Sequence, residues 1–90
     1  MSKFEETLKE LNYEFQEQDG KKLTYRKRAR LSDLVLVIDL ELKTIRPVSI
    51  PTSMFICREE FIDFYKEFEQ MRSDAIKIVE RSNGKLRALE

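Results

Sequence analysis

Histidine and tryptophan are absent from this 90-residue sequence, which also contains a single cysteine, two glycines and two prolines. The lack of histidine excludes the commonest general base, the commonest nitrogen ligand for metals and every histidine-dependent catalytic triad. The glycines stand far apart, at positions 20 and 84, so the chain has no glycine-rich loop that would hold phosphate groups. We therefore expect a protein that is not an enzyme and that binds no metal or other cofactor.

The cysteine and hydropathy patterns indicate where the protein works. Cys57 has no second cysteine to pair with, so nothing indicates an oxidising compartment. The longest apolar run, Leu34 to Ile38, has five residues, whereas a membrane-spanning helix needs roughly 20. The N-terminus lacks the apolar core of a signal peptide. We expect a cytoplasmic protein that does not enter a membrane.

The length of the chain is that of one small domain. A domain of this size buries only about 60–65% of the surface that its unfolded chain exposes, and a hydrophobic fraction of 41% is enough for one modest core. We expect a single domain over residues 1–88. We interpret Leu89 and Glu90 as a vector-derived remnant that does not belong to the fold.

The strongest periodicity lies between Arg58 and Ser82 and predicts a long C-terminal helix. Apolar residues recur there at spacings of three and four, which places them on one flank of a helix that must be buried. The main stripe is Phe61, Phe64, Phe68, Met71, Ala75 and Ile78, and Ile62, Tyr65, Ile76 and Val79 widen it. Cys57 stands at the expected N-cap, and Asn83-Gly84 marks the expected end.

A short helix is expected over residues 3–11. Ser2 followed by Glu5 is a capping-box pattern, and apolar residues follow at helical spacing. A helix this short is marginal alone, so it must dock through its apolar residues, which are Phe4, Leu8 and Leu11.

Alternating apolar residues on both sides of Asp19-Gly20 predict a β-hairpin. A type I turn with a bulge at Gly20 would pair Phe15 with Leu23 and Tyr13 with Tyr25. This register is expected because it brings all four apolar side chains to one face of the sheet.

Two further strands are expected, over Leu34–Leu42 and Ile45–Ile50. Tight turns would place Tyr25 opposite Ile38 and Glu41 beside Arg46. The five even-numbered residues of the first strand would form one buried face: Leu34, Leu36, Ile38, Leu40 and Leu42.

The second of these strands is expected at a sheet edge because Pro47 lacks a backbone donor. A short extended piece, Met54–Ile56, would lead into the long helix. The predicted architecture is α+β in the order α-ββββ-α, with an antiparallel four-stranded meander whose Leu/Ile face the long helix covers.

The opposite face of the predicted sheet would show aliphatic residues among basic ones. The aliphatic residues are Val35, Val37, Val48 and Ile50. Such a group needs cover, which either the short N-terminal helix or a second subunit would supply.

The predicted long helix is longer than the sheet that it covers. Twenty-five helical residues span roughly 37 Å, whereas four strands side by side span about 19 Å. The helix should therefore overhang from about Met71 onward and pair with its own copy in a homodimer. The predicted interface is Met71, Ala75, Ile78 and Val79. The alternative is a helix that breaks near Ser73-Asp74 and folds back.

Charge is unevenly distributed, although 17 basic residues balance 17 acidic ones. Residues 21–30 hold six basic residues and no acid. A strand places alternate residues on one face about 6.7 Å apart, close to the phosphate repeat of an extended nucleic-acid strand. The candidate nucleic-acid-binding residues are Lys22, Arg26, Arg28 and Arg30. The alternative is a solvated strand neutralised by acids such as Glu17 and Asp39.

The junction before the long helix reads Met54-Phe-Ile-Cys-Arg-Glu-Glu-Phe61, followed by Phe64. This run resembles the strand-to-helix junction of the ββββα single-stranded nucleic-acid-binding modules of the Pur-alpha and Whirly-like group. The resemblance implies a sheet that presents basic and aromatic residues to single strands, and modules that pair as dimers. The N-terminal helix and the absence of tryptophan depart from that pattern.

Together these features favour a small, non-catalytic interaction module that forms a homodimer and binds a protein partner. Single-stranded nucleic-acid binding through residues 21–30 is the alternative.

Overall fold

The computed structural model describes residues 3–52 and 57–88, and its elements follow the predicted order. They are α1 (Lys3–Glu10), β1 (Glu14–Asp19), β2 (Lys22–Arg28), β3 (Ser32–Asp39), β4 (Thr44–Pro51), α2 (Arg58–Arg81) and β5 (Arg87–Ala88). The strands form one sheet in the order β1-β2-β3-β4-β5. Strands β1 to β4 make an antiparallel meander, and β5 runs parallel to β4.

The predicted α+β class and the α-ββββ-α order are confirmed, while β5 is a strand that the sequence analysis did not predict. It pairs with only the first two residues of β4, so the part of β4 that contains Pro47 still borders an edge among the described residues. Three predicted features lie outside the described residues: the Ser2 cap, the extended piece Met54–Ile56 and the Leu89-Glu90 remnant.

The hairpin loop differs from the predicted bulged turn. Asp19 lies opposite Lys22, which leaves Gly20 and Lys21 as a two-residue loop. Gly20 has a φ of 61°, the positive value that such hairpin loops require at their first position.

A bulge in β1 takes over the role expected of the loop. The register shifts between Phe15 and Glu17, and this extra residue brings Phe15 opposite Tyr25. The two rings meet edge to face with centroids 5.6 Å apart. The predicted pairs of Phe15 with Leu23 and Tyr13 with Tyr25 are therefore wrong, although Phe15 and Tyr25 still share one face because the bulge restores the phase.

The next register is displaced by two residues from the prediction. Tyr25 lies opposite Leu36 rather than Ile38, because the turn between β2 and β3 lies one residue earlier than expected. The N–H of Ala29 donates to the carbonyl of Ser32 at 2.9 Å, which leaves Arg30 and Leu31 as the loop. A shift of two residues preserves the alternation of a strand. The predicted buried face of β3 is therefore correct at its Leu34, Leu36 and Ile38 positions.

The turn between β3 and β4 also begins earlier than predicted. Arg46 lies opposite Val37 rather than beside Glu41. A carboxylate oxygen of Asp39 accepts hydrogen bonds from the backbone N–H groups of Glu41 at 2.9 Å and Leu42 at 3.0 Å, and this local turn ends the strand. Two leucines expected on the buried face are exposed: Leu40 and Leu42.

Both helices pack on the same face of the sheet, which we call the inner face. Its strand residues are Leu23, Tyr25, Leu34, Leu36, Ile38 and Ile45. Phe4 and Leu8 of α1 belong to the same hydrophobic cluster as Met71 and Ile78 of α2. The short N-terminal helix therefore docks through its apolar residues as predicted, but beside α2.

The second half of α2 is part of this core. Met71, Ala75 and Ile78 are buried, and Val79 is half-buried and packs against the cluster. The prediction that α2 overhangs from Met71 onward is therefore wrong. Of the predicted interface residues, Met71, Ala75 and Ile78 are buried and cannot form a dimer surface in the folded chain. The physical reason is that α1 and Leu86 also pack against this half of α2, so its apolar stripe is buried by these elements as well as by the sheet.

The first half of α2 is the exposed half. Phe61, Ile62 and Tyr65 are 57%, 46% and 62% exposed. The helix is continuous from Arg58 to Arg81, so the break considered near Ser73-Asp74 does not occur.

The ends of α2 agree with the prediction. Cys57 is the N-cap residue, with an extended backbone. After the helix, Asn83 and Gly84 adopt left-handed conformations with φ of 57° and 80°, which end a helix efficiently.

A pair of isoleucines on α2 tests this burial pattern. Ile78→Ala should lower the free energy of unfolding by about 2–5 kcal/mol because it leaves a cavity in the core. Ile76→Ala, on the exposed side of the same helix, should change it by less than about 0.5 kcal/mol. Urea unfolding of both variants at about 2 µM, where association contributes little, gives the comparison. Equal losses would contradict the assignment of the two flanks.

Candidate interaction site

The sheet face opposite the helices is uncovered in the described part of the chain. We call it the outer face. The observed registers place these residues on its three central rows: Lys22, Thr24, Arg26 and Arg28 of β2, Asp33, Val35, Val37 and Asp39 of β3, and Thr44, Arg46, Val48 and Ile50 of β4. The short N-terminal helix packs on the inner face, so it does not supply the cover considered for the four aliphatic residues.

The aliphatic residues form the centre of the outer face. Val35 lies opposite Val48 across the β3–β4 pair. Val35, Val37 and Val48 are half-buried, and Ile50 is 50% exposed. Because the strands themselves supply the partial burial, this group still offers apolar surface to a partner.

The basic row on β2 is partly neutralised within the chain, because two of its three cations share one carboxylate. Arg26 and Asp33 form an ion pair with 2.5 Å between Nη2 and Oδ2. Arg28 lies across from Asp33, with 3.6 Å between Nε and Oδ1. One carboxylate thus faces two guanidinium groups on the same side of the sheet.

Arg30 does not belong to this row. It follows the end of β2 and donates from Nη2 to Oδ2 of Asp63 on α2, at 2.7 Å. In the same region, Glu67 of α2 accepts hydrogen bonds from the N–H of Leu31 at 3.2 Å and the hydroxyl of Ser32 at 2.8 Å. The structure therefore brings Lys22, Arg26 and Arg28 together on the outer face and places Arg30 with the helix.

Lys22 and Arg46 are the cations on the three central rows of the outer face that lack an ion pair among the described residues. They line a shallow depression of about 260 Å³ whose other lining residues include Val37 and Val48. Asp39 also borders it, and one of its oxygens is already engaged by the backbone of the β3–β4 turn. The depression therefore combines an aliphatic floor with two cationic side chains.

The outer face carries both acidic and basic side chains, and no aromatic side chain lies on it among the described strand residues. In the observed register Glu14, Glu17 and Asp19 of β1 also lie on this side, beside Arg26, Thr24 and Lys22. Among the described strand residues, the aromatic side chains Phe15 and Tyr25 point to the inner side. The outer face is not a uniformly basic surface.

A buried carboxylate on α2 is the polar feature that the sequence analysis missed. Asp74 is 1% exposed and accepts hydrogen bonds from the hydroxyl of Tyr13 at 3.1 Å and the amide of Gln70 at 3.1 Å. The ammonium of Lys27 lies 3.7 Å from its Oδ2 and 5.3 Å from the centroid of the Tyr13 ring. The sequence did contain a signal for this carboxylate. Asp74 follows Met71 by three residues, and this spacing places it on the buried flank of the helix.

The environment of Tyr13 opposes its ionisation. Burial, the negative charge of Asp74 and the hydrogen bond to it together raise the pKa of the Tyr13 phenol far above its ordinary value, in that order of importance. Burial, followed by the charge of Glu5, also raises the pKa of Tyr25. Tyr13, Lys27 and Gln70 each contact Asp74, so the cluster ties α2 to β2 and to the residue before β1.

Comparison with family models, curated proteins and solved structures found no match to this chain. Within residues 3–52 and 57–88, no group of three or more acidic or cysteine side chains is arranged to hold a metal ion. No helix in the same residues is long and apolar enough to cross a membrane. The resemblance to the Pur-alpha and Whirly-like group stays a prediction, because Met54–Ile56 lie outside the described residues.

Tyr13→Phe tests the buried cluster. At pH 7 the variant should lose about 1–2 kcal/mol of unfolding free energy, because Asp74 loses a donor. In the unfolded chain tyrosine ionises near its ordinary pKa of 10.0, whereas folded Tyr13 does not. The contribution of Tyr13 is therefore complete below about pH 10 and declines as the pH rises above it.

The measurement is urea unfolding from about pH 7 to about pH 11. The wild type should lose more stability above about pH 10 than Tyr13→Phe does, and Tyr65→Phe, at an exposed position, is the matched control. Parallel pH profiles for the wild type and Tyr13→Phe would rule out a buried neutral phenol.

Proposed function

We propose that the chain is a small, non-catalytic interaction module that binds a protein partner with its outer sheet face. The observation that carries the proposal is the position of both helices on the inner face, which leaves four aliphatic side chains of the sheet without cover in the described chain. Exposed apolar groups of this kind, rimmed by polar residues, are typical of protein-binding surfaces.

The charges around the aliphatic centre indicate the chemistry of the partner. Asp33 faces both Arg26 and Arg28 and offsets one of their two positive charges, so they attract an anion less than two unpaired arginines would. Lys22 and Arg46 remain beside Val37 and Val48 in the depression. The fitting partner is therefore a polypeptide segment that presents aliphatic side chains with a carboxylate next to them.

A displayed library of random peptides tests this proposal. Peptides selected on the wild type should combine aliphatic and acidic residues. Lys22→Glu/Arg46→Glu should weaken their binding by about tenfold or more, because it replaces attraction with repulsion. Titration followed by amide chemical shifts should map the contact to the depression.

The matched control is Lys66→Glu/Lys77→Glu, which makes the same change of charge on α2 and should leave peptide binding unchanged. Selected peptides that bind all three proteins equally, or that shift only amides of the helices, would overturn the proposal.

Single-stranded nucleic-acid binding is the second candidate. It is favoured by the three cations that alternate along β2 on an uncovered face: Lys22, Arg26 and Arg28. Two observations count against it. Asp33 and Asp63 pair with arginines of the predicted set, and the described outer face lacks the aromatic platforms on which single-stranded binders stack bases.

A fluorescence-anisotropy titration with short DNA and RNA oligonucleotides separates the two candidates. Nucleic-acid binding would weaken steeply as salt increases and would be lost in Arg26→Glu/Arg28→Glu/Arg30→Glu. The expected result under the protein-binding proposal is no measurable binding at low salt.

A further inference from the structure

A second stripe with heptad spacing runs along α2 on the flank away from the core. Its members recur at spacings of three and four residues: Ile62, Tyr65, Glu69, Arg72, Ile76 and Val79. Ile62, Tyr65 and Ile76 are 46%, 62% and 51% exposed. Met71, Asp74, Ala75 and Ile78 fill the core-facing flank. Val79 lies at the border of the two flanks, because it is half-buried and also packs against the core cluster, and the rest of the outer flank of α2 is a separate surface.

The order of residue types along the outer flank is the same from the N-terminal end as from the C-terminal end. From either end it runs apolar, apolar, charged, charged, apolar, apolar, and the two central charges are opposite in sign. A surface that contacts its own copy across a twofold axis must be complementary to itself. This pattern satisfies that condition for two antiparallel helices.

We propose that α2 pairs with α2 of a second copy, antiparallel and through this flank. Ile62 then lies opposite Val79 of the partner subunit, and Tyr65 lies opposite Ile76 of the partner subunit. Glu69 lies opposite Arg72 of the partner subunit. The twofold axis passes between positions 70 and 71, and each layer has the spacing of knobs-into-holes packing.

The central charges select the antiparallel arrangement. Within one chain Arg72 Nη1 and Glu69 Oε1 lie 3.4 Å apart, and both side chains are more than two-fifths exposed, so this pair is weak by itself. In the antiparallel dimer the same groups form two pairs across the interface. A parallel, in-register pairing would instead place Glu69 against Glu69 and Arg72 against Arg72, which is repulsive.

The dimer proposed here leaves the outer sheet face free. The stripe from Ile62 to Val79 is about 26 Å long and lies on the helix side of the molecule, whereas the depression lined by Lys22 and Arg46 lies on the opposite side of the sheet. The proposed dimer and the proposed binding of a protein partner to the outer face can therefore be tested independently.

Charge reversal with heterodimer rescue tests the pairing. Glu69→Arg alone and Arg72→Glu alone should each weaken self-association by about tenfold or more, because each places like charges opposite one another. An equimolar mixture of the two variants restores both opposite-charge pairs and should associate like the wild type. The double variant Glu69→Arg/Arg72→Glu should also recover.

Sedimentation equilibrium from about 10 µM to about 1 mM measures these effects against the chain mass of 10.8 kDa. Thermal unfolding at low concentration should show midpoints within about 2 °C for all variants, because an exposed pair contributes little to the fold. Val48→Asp, on the outer sheet face, is the control that should leave dimerisation intact.

A distance measurement tests the antiparallel direction without changing the sequence. Cys57 is exposed and is the only cysteine, so spin labels attach there alone. Antiparallel helices with their axis between positions 70 and 71 place the two labels about 40 Å apart. A label distance below about 20 Å, a wild type that stays monomeric at about 1 mM, or a mixture that fails to associate would overturn the proposal.

Discussion

The arrangement of this protein depends on the buried carboxylate of Asp74. A charged group without water must be met by donors and cations, and here the partners come from three places: Tyr13 before β1, Lys27 on β2 and Gln70 on α2 itself. Removing one partner of such a group costs more than the contact itself adds, because the remaining polar group is left buried without a partner. The carboxylate therefore holds the second half of α2 in one position against the hairpin.

This anchoring explains which surfaces of the molecule stay free. Because the second half of α2 is held to the hairpin and packs against α1 and Leu86, its core-facing stripe is buried within the domain. The first half of α2 and its outer flank are left exposed. Both helices then occupy the inner face, so the aliphatic centre of the outer face has no cover in the described chain. The outer sheet face and the outer flank of α2 are therefore both exposed because of the same packing of the two helices on the inner face.

Some features of the fold could be predicted because their physics is local. The limits of α2 follow from the periodicity between Phe61 and Ile78, an N-cap at Cys57 and a stop at Asn83-Gly84. The meander follows from alternating residues and turn signals. The strand registers could not be predicted in the same way, because a bulge in β1 and the Asp39 turn each shift the pairing without changing the pattern of apolar residues.

The sequence by itself determined the class of the fold, the order of the elements and the identity of the residues with alternating or heptad spacing. Only the tertiary structure decided which of the two stripes on α2 is buried, that Arg30 pairs with Asp63 away from Arg26 and Arg28, and that the outer face is open. The physical reason is that spacing defines the flanks of a helix and the faces of a strand, whereas burial depends on which other elements pack against them. For α2 the buried flank is decided by α1 and by Tyr13 and Lys27, two partners of Asp74 that lie far from α2 in the chain.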